Sequence, residues 1–389
     1  MRRQRLFIFA TLLFFGISLI SGFGSALAAD AKAPAKAQFE TSAVSAVLMD
    51  GNGNVLYEKE PHKKLPPASV TKIMTLLLGI EAVEQGRIQL TDPVPVSENA
   101  WRQGGSQIWL EPGEAMTVKE ILTAIAVVSA NDAAMALMEH IYGGEQAAVE
   151  AMNRKGEELG LKDTHFASVN GLPTPDHYMS TYDTALIARE ALKHPLYMEL
   201  CGIKEFWLRD GKNWLVNTNK LLWWYKGADG LKTGWTEEAK YCFVGTALRD
   251  NLRLIAVVFA TPEPRSHLRE SMKLLDWGYA NFAAAPIAGQ GAVIERIKVT
   301  KGTEKELQLV AANELNLVLP KGQTKNLQKK VVTEPSVTAP VAQGQKCGEL
   351  LVFKDGKEIG KVDLIAEKAV AKAGFFLMLQ SMISNLFSL

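Results

Sequence analysis

The chain has 389 residues, of which 47% are hydrophobic and 22% are charged, and its formal net charge is +1. The apolar fraction excludes a disordered chain, and the balanced charge argues against nucleic-acid binding because no surplus of cations is present to neutralise phosphates. The length predicts about two domains. The three cysteines and six histidines form no recognisable metal-binding pattern, so we expect no metal and no cofactor. The sequence leaves open whether Cys201 and Cys242 pair.

The N-terminus carries an export signal. Three arginines among the first five residues precede an uncharged, predominantly apolar run over residues 6–20, and small residues follow up to Ala29. This order is typical of a secretory signal peptide spanning residues 1–29. An uncleaved anchor helix is the alternative, although the apolar run is short for crossing a bilayer. Residues 30–37 are rich in Ala, Lys and Pro and predict a linker, so the remaining chain is expected to work outside the cytoplasm.

Residues 38–285 show strand patterns at both ends and helical patterns between them. Residues 46–57 and 241–260 each predict a hairpin, the first with a turn at residues 50–53. The helical patterns cover residues 69–85, 118–128, 132–142, 144–159, 181–191 and 267–282. This arrangement predicts an α+β domain in which a cluster of helices accompanies one antiparallel sheet shared by the terminal segments.

The character of the chain changes after this domain. Residues 286–369 contain short β-like runs separated by Gly, Asn and Asp turns, and no pattern of helical length interrupts them. This composition predicts a small all-β domain.

The last segment, residues 370–389, predicts an amphipathic helix. On a helical wheel its polar side chains, such as Gln380 and Ser384, gather on one arc, and apolar side chains fill most of the rest. A helix starting at residue 374 would be about 24 Å long, which is too short to cross the hydrocarbon core of a bilayer. We therefore expect an anchor that lies in the membrane interface, helped by Lys368 and Lys372 near anionic headgroups. A terminal helix docked on the β domain is the alternative.

Three short motifs occur in order along the α+β domain: Ser69-Val70-Thr71-Lys72, Ser129-Ala130-Asn131 and Lys232-Thr233-Gly234. Each motif is short enough to occur by chance. Ser-x-Asn is also found at residues 97–99 and 168–170, where polar surroundings favour a cap or turn. The surroundings of the three motifs therefore decide their interpretation.

Ser69 and Lys72 begin a strongly apolar helical pattern. Their spacing of three residues makes them neighbours on one helix face, and free backbone N–H groups at a helix start can hold an oxyanion. To act as a base near neutral pH, the lysine pKa must fall from ~10.4 to about 7, which burial and a second cation can achieve. A helix-capping serine beside a solvated lysine is the alternative.

The motifs at residues 129–131 and 232–234 also lie at positions that suit an active site. Ser129 and Asn131 interrupt two apolar runs, which favours a loop that presents both side chains to a cleft. Two helix caps are the alternative. Residues 232–234 precede the second hairpin and are expected on a strand, where Gly234 lets another backbone approach. An ordinary turn lysine is the alternative.

Together the motifs closely resemble those of the serine-type D-Ala-D-Ala carboxypeptidases (peptidase S11), which are low-molecular-mass penicillin-binding proteins. Residues 65–72, 170–173 and 229–236 carry the resemblance. It covers essentially the whole mature chain, because members of this family also have a small β domain and a C-terminal amphipathic anchor. It implies a β-lactamase/transpeptidase-like fold and an exported enzyme at the outer face of the bacterial cytoplasmic membrane.

The resemblance implies a mechanism for these residues. Ser69 would attack the carbonyl of the D-Ala-D-Ala peptide bond, and Lys72 would accept its proton. The backbone N–H groups of Ser69 and Trp235 would hold the oxyanion, and Ser129 would pass a proton to the leaving D-alanine. Water would then hydrolyse the acyl-enzyme. Some relatives have histidine where this chain has Trp235, a departure that bears on deacylation or substrate preference.

The residues expected to bind substrate are Asn131, Lys232, Thr233, Gly234, Trp235 and Arg265. Asn131 would hydrogen-bond the substrate backbone, and Lys232 would supply positive potential that helps to keep the neighbouring lysine neutral. Thr233 and Arg265 would bind the terminal carboxylate, although Arg269 could take the place of Arg265. The implied partners are a peptidoglycan stem peptide ending in D-Ala-D-Ala, β-lactam antibiotics as inhibitors, and the membrane surface.

Three other functions share part of this pattern. A class A β-lactamase has the same motifs, but it needs a Glu-x-x-x-Asn segment for deacylation, and no matching glutamate stands between Asn131 and Lys232. A transpeptidase would use an amine in place of water. A catalytically inactive peptidoglycan-binding protein would keep the fold without the chemistry, and the intact motifs argue against it.

Overall fold

A computed structural model of the chain describes residues 39–374. The predicted signal peptide, the predicted linker and residues 375–389 of the predicted anchor lie outside the described residues.

The helices of the described part are α1 Lys72–Glu84, α2 Glu98–Trp101, α3 Val118–Val128, α4 Asn131–Tyr142, α5 Glu145–Glu158, α6 Thr181–Ala191, α7 Pro195–Gly202, α8 Leu221–Trp224 and α9 Ser266–Asn281. The strands up to residue 261 are β1 Ser45–Asp50, β2 Val55–Lys59, β3 Pro93–Pro95, β4 Ala115–Thr117, β5 Glu205–Leu208, β6 Asn213–Val216, β7 Ala228–Thr236, β8 Lys240–Arg249 and β9 Leu252–Thr261. The later strands are β10 Phe282–Ala288, β11 Val293–Thr300, β12 Glu306–Ala311, β13 Leu315–Pro320, β14 Gln328–Thr333, β15 Ser336–Thr338, β16 Lys346–Lys354 and β17 Lys357–Ala366.

A five-stranded antiparallel sheet organises the α+β domain, with the order β2-β1-β9-β8-β7. The first strand of the domain pairs with the last one, which confirms the expected sharing of one sheet by the terminal segments. Val47 and Met49 of β1 join the core that the helices α1, α3 and α4 form. Leu48 and Leu254 lie against Gly278 of α9 on the other face. Both faces are covered, and this explains why β1 is buried along its whole length.

The long periodic patterns predict the helices closely, and the short elements escape them. Helices α3 and α6 have the predicted bounds, and α3 begins with a capping box in which Thr117 and Glu120 bond each other's backbone N–H groups. Helix α8 and the hairpin β5–β6 have four residues per element, which is too few for a period to show. The helix predicted from residue 69 begins as α1 at Lys72, because residues 68–71 form a separate 3₁₀ turn.

The all-β domain follows α9. A six-stranded sheet has the order β14-β16-β17-β12-β11-β15, and β10 pairs with β13. These strands confirm the predicted β domain, and β10 spans the expected boundary between residues 285 and 286. Residues 370–374, which we expected to begin the anchor helix, are not helical. Val370 forms a bridge with Val341 and is buried in the β domain, so packing overrides the helical pattern there.

Three negative findings concern residues 39–374 only. No helix in this range has both the length and the apolar character needed to cross a membrane. No group of three or more His, Cys, Asp or Glu side chains is placed there to hold a metal ion. All three cysteines lie in this range and are unpaired, Cys201 and Cys242 being buried as free thiols.

Candidate active site

Ser69 lies in a backbone turn that two glycines hold closely from outside. The turn is the 3₁₀ segment Ala68–Thr71, and Ala68 has a φ of 49°, which costs a non-glycine residue about 1–2 kcal/mol. A Cβ on Gly171 would overlap the Ala68 carbonyl oxygen, and a Cβ on Gly234 would lie 3.2 Å from the Ser69 nitrogen. The chain therefore needs glycine on both sides of the serine.

Lys72 is the immediate partner of Ser69. It is fully buried at the start of α1, with Nζ 2.8 Å from Ser69 Oγ. The same Nζ donates a hydrogen bond to the Asn170 carbonyl oxygen at 2.7 Å. Burial and then the charge of Lys232 lower the pKa of Lys72 well below its ordinary value, and Asp132 opposes this shift. An uncharged amine beside a hydroxyl can accept its proton.

Lys232 is the second buried amine of the site. It lies on β7, and its Nζ donates to the Thr233 carbonyl oxygen at 3.0 Å. Burial lowers the pKa of Lys232 to about 7. The charge of Lys232 adds to burial in lowering the pKa of Lys72, which favours an uncharged Lys72 beside a charged Lys232. The positive charge of the pair then resides on Lys232.

Ser129 and Asn131 form the turn between α3 and α4, as expected. Ser129 ends α3 with a φ of 64°, and the N-cap of α4 is Ala130, which provides no capping side chain. Asn131 Nδ2 donates to the Gly104 carbonyl oxygen at 2.6 Å. Ser129 Oγ and Asn131 Oδ1 are buried and have no hydrogen-bond partner among the described residues. Unpaired buried polar atoms are costly, so these two oxygens favour a ligand-binding role over the alternative of helix caps.

The edge strand β7 completes the cleft beside the serine. Gly234 approaches the Ser69 backbone, and the next residue, Trp235, keeps 58% of its surface exposed. The Trp235 ring lies 6.1 Å from the Tyr241 ring, which stacks on His267 at 5.5 Å. Thr233 Oγ1 donates to Thr218 Oγ1 at 2.9 Å. The indole therefore forms an exposed aromatic wall next to the backbone N–H predicted for the oxyanion.

Arg265 lies at the start of α9 and is exposed, with a φ of 63°. Within residues 39–374 its side chain forms no hydrogen bond or ion pair, so none joins it to the Thr233 side chain, which bonds Thr218 instead. Arg269, the alternative anion binder, is paired with Glu263 at 3.1 Å. The geometry therefore favours Arg265 as the guanidinium available to a ligand.

A hydrogen-bonded chain behind the turn was not predicted from the sequence. The Ala167 N–H donates to His177 Nδ1 at 3.0 Å, and Nε2 therefore carries the ring proton and donates to Thr71 Oγ1 at 2.7 Å. Thr71 Oγ1 in turn donates to the Ala68 carbonyl oxygen at 2.8 Å. Burial lowers the pKa of His177 to about 4, which keeps the ring neutral at physiological pH. These hydrogen bonds fix Ala68, the strained residue that precedes Ser69.

The loop at residues 168–171 also belongs to the site. Ser168 Oγ accepts from the N–H groups of Asn170 and Gly171 at 3.3 and 3.1 Å, so the predicted turn role of Ser168 is confirmed. The turn aims the Asn170 carbonyl at Lys72. The hydrogen bond from Lys72 to Asn170 was not predicted from the sequence. Its acceptor is a backbone carbonyl oxygen, which every residue has, so the residue type does not indicate it.

Comparison with known proteins connects this geometry to an enzyme family. The profile of the peptidase S11 family, described as D-alanyl-D-alanine carboxypeptidase, matches residues 30–263. The profile described as penicillin-binding protein 5, C-terminal domain, matches residues 282–372.

Individual proteins match over nearly their full lengths. The chain is 41% identical to the D-alanyl-D-alanine carboxypeptidase DacF of Bacillus subtilis over 95% of this chain and 96% of that protein. The structure of penicillin-binding protein 5 from Haemophilus influenzae is 33% identical, with a TM-score of 0.73 over 86% of this chain and 99% of that chain. Penicillin-binding protein D2 of Listeria monocytogenes, solved in an ampicillin-bound form, is 30% identical, with a TM-score of 0.58 over 62% of this chain and 99% of that chain.

The hydrogen-bonded chain behind the turn predicts a stability effect. Thr71→Val keeps the shape of the side chain but leaves the His177 N–H and the Ala68 carbonyl unpaired, so we expect a loss of about 2–4 kcal/mol in the free energy of unfolding. Thr71→Ser keeps both hydrogen bonds and should lose about 1 kcal/mol, for the missing methyl group. Urea denaturation of both variants measures this. Equal losses in the two variants would show that the hydroxyl does not hold the turn.

Proposed function

The chain belongs to the peptidase S11 family of D-alanyl-D-alanine carboxypeptidases, and on this premise we propose that Ser69 is its nucleophile and peptidoglycan stem peptides ending in D-Ala-D-Ala are its substrate. The 2.8 Å contact between Ser69 Oγ and a buried, uncharged Lys72 carries the proposal. No cofactor enters the reaction.

Acylation begins with proton transfer from Ser69 Oγ to Lys72 Nζ. The oxygen then attacks the carbonyl carbon of the penultimate D-alanine, and the N–H groups of Ser69 and Trp235 hold the resulting oxyanion. Ser129 passes the proton to the leaving nitrogen, and the C–N bond breaks to release D-alanine. The buried Ser129 hydroxyl, which has no other partner in the described part of the chain, supports this relay.

Substrate recognition uses the rest of the cleft. Lys232 provides the positive potential, and Thr233 and Arg265 bind the terminal carboxylate. Asn131 presents its buried Oδ1 to the substrate backbone, and Gly234 allows the strand to approach the serine. These roles agree with the buried charge on β7, the unpaired oxygen of Asn131 and the exposed guanidinium of Arg265.

Deacylation returns the enzyme to its starting state. Water adds to the acyl carbonyl and gives a proton to Lys72, the ester C–O bond breaks, and the proton returns to Ser69 Oγ. A β-lactam would acylate the same serine through its strained amide. Hydrolysis of that ester must then be slow for inhibition to last.

A digest of a stem pentapeptide tests the reaction. We expect a product one alanine shorter by mass spectrometry, and a loss of at least about 10⁴-fold in kcat for Ser69→Ala because the nucleophile is gone. Ser129→Ala should lose over about 100-fold, as expected for a general acid–base group. The matched control is Ser97→Ala, which removes a serine of another Ser-x-Asn sequence that caps α2. Hydrolysis or penicillin labelling that survives in Ser69→Ala would reject Ser69 as the nucleophile.

The pH dependence tests the two lysines. The site is active when Lys72 is neutral, which holds above its lowered pKa, and when Lys232 is charged, which holds below a pKa of about 7. We therefore expect kcat/KM to fall as the pH rises through about 7. Lys232→Arg keeps its charge at higher pH, so its profile should lose this alkaline limb even if its maximum is lower. An unchanged limb in the variant would assign the titration to another group.

We also propose export by a signal peptide at residues 1–29 and attachment of residues 375–389 to the outer face of the cytoplasmic membrane. The support is the amphipathic pattern of that segment. Ile383→Glu places a charge on the apolar arc and should move the processed protein from the membrane to the soluble fraction. Ser384→Glu adds the same charge on the polar arc and should leave the protein bound. Membrane retention of both variants would contradict an interfacial helix.

A further inference from the structure

Trp109 combines a highly exposed side chain with a strained backbone conformation. It keeps 73% of its surface accessible, and its φ of 59° lies in the left-handed region, which is strained for a bulky residue. Exposure of a large apolar ring and backbone strain both cost free energy. Strained residues and exposed apolar surfaces are found most often at functional sites. This ring is separate from the catalytic residues described above.

Trp109 forms one wall of a cleft of about 480 Å³. The opposite side comes from the tip of the hairpin β5–β6, and polar groups of Glu111, Glu114, Arg209 and Asn213 line the cleft. This volume falls in the range of small-molecule sites. An apolar ring facing carboxylate and amide groups suits a saccharide, whose C–H face packs on the ring while its hydroxyls hydrogen-bond to the polar groups. The two glutamates are unfavourable for an anionic lipid surface.

Arg209 preforms this cleft. Its guanidinium joins the Glu114 carboxylate by two hydrogen bonds, at 2.7 and 3.0 Å. It also donates to the carbonyl oxygens of Ile108 and Trp109, at 3.0 and 3.1 Å. One side chain therefore fixes the hairpin tip to the strained loop, which lowers the ordering cost of binding.

The loop that carries Trp109 is fixed to the first turn of α4, next to the segment that carries Ser129 and Asn131. The N–H groups of Ile108 and Leu110 donate to the Asp132 carboxylate, at distances of 3.1–3.2 Å. Asp132 directly follows Asn131. The bond from the Leu110 N–H and ordinary covalent lengths limit the distance between the Cα atoms of Trp109 and Asp132 to about 9 Å.

The cleft is therefore close enough to the catalytic residues for another part of the proposed substrate to reach it. Stem peptides branch from a glycan strand, and three residues separate the sugar from D-Ala-D-Ala. Three extended residues span about 10–11 Å. A sugar joined to a peptide in the catalytic cleft would thus reach the region of Trp109.

We propose that the cleft between Trp109 and the hairpin tip is a saccharide subsite that binds the glycan strand of peptidoglycan. The inference rests on the proposed function. Trp207 and Trp214 form a cross-strand pair on the hairpin, with ring centroids 6.0 Å apart and planes inclined by 20°. Because side chains alternate between the two faces of a strand, this pair lies on the face opposite to Asn213 and outside the cleft.

The test compares two substrates in the full chain. For each variant we take the kcat/KM for a disaccharide-linked pentapeptide divided by that for the same pentapeptide without sugar. Trp109→Ala should lower this ratio at least fivefold, through the KM of the sugar-bearing substrate. A peptide-free oligomer of N-acetylglucosamine and N-acetylmuramic acid should also perturb the tryptophan fluorescence of the wild type more than that of the variant.

Two controls make the result specific. Trp109→Phe keeps an aromatic face and should hold the ratio within twofold, and Trp224→Ala removes an exposed tryptophan outside the cleft and should leave it unchanged. An unchanged ratio in Trp109→Ala overturns the subsite, and so does an equal loss on both substrates, which indicates a structural role. Binding to anionic vesicles that depends on Trp109, with an unchanged ratio, overturns it in favour of lipid. A wild type that hydrolyses neither substrate overturns the proposed function instead.

Discussion

The site depends on one unfavourable placement, an amine buried beside a hydroxyl. Among the described residues Lys72 forms no ion pair, and its Nζ forms hydrogen bonds with the Ser69 hydroxyl and the Asn170 carbonyl. A charged amine is poorly stabilised there, so the protein keeps the form that can accept a proton. Lys232 strengthens this effect from β7. The apolar packing on both faces of the sheet stabilises the fold and offsets the cost of this placement.

Close approach of backbones is the second requirement. Ser69 is held between the loop at Gly171 and the strand at Gly234, and neither position has room for a Cβ. The Thr71–His177 pair fixes the same turn from behind. The nucleophile is thus positioned mainly by backbone atoms and by groups that carry no charge at neutral pH. Such a frame changes little with ionic strength, because screening acts on charges.

Local patterns allowed much of this architecture to be predicted. The Ser69–Lys72 contact follows from a spacing of three residues, and the amphipathic helices α3 and α6 follow from their periods. Interactions between distant segments through the main chain were not predictable. The bond from Lys72 to the Asn170 carbonyl and the strained turn at Ala68 depend on backbone geometry that side-chain identity does not reveal. His177 is a single histidine in a loop, and nothing in its neighbours indicates its partner.

The pairing of β1 with β9 also has a consequence for how the enzyme matures. Ser45 lies opposite Phe259, about 210 residues later, so the central ladder of the sheet has high contact order and must form late and slowly. Because synthesis proceeds from the N-terminus, Ser69 and Lys72 are made long before β7, β8 and β9. Catalytic competence therefore arises only after the entire α+β domain has been synthesised, because the site joins residues from its first helix to its edge strand β7.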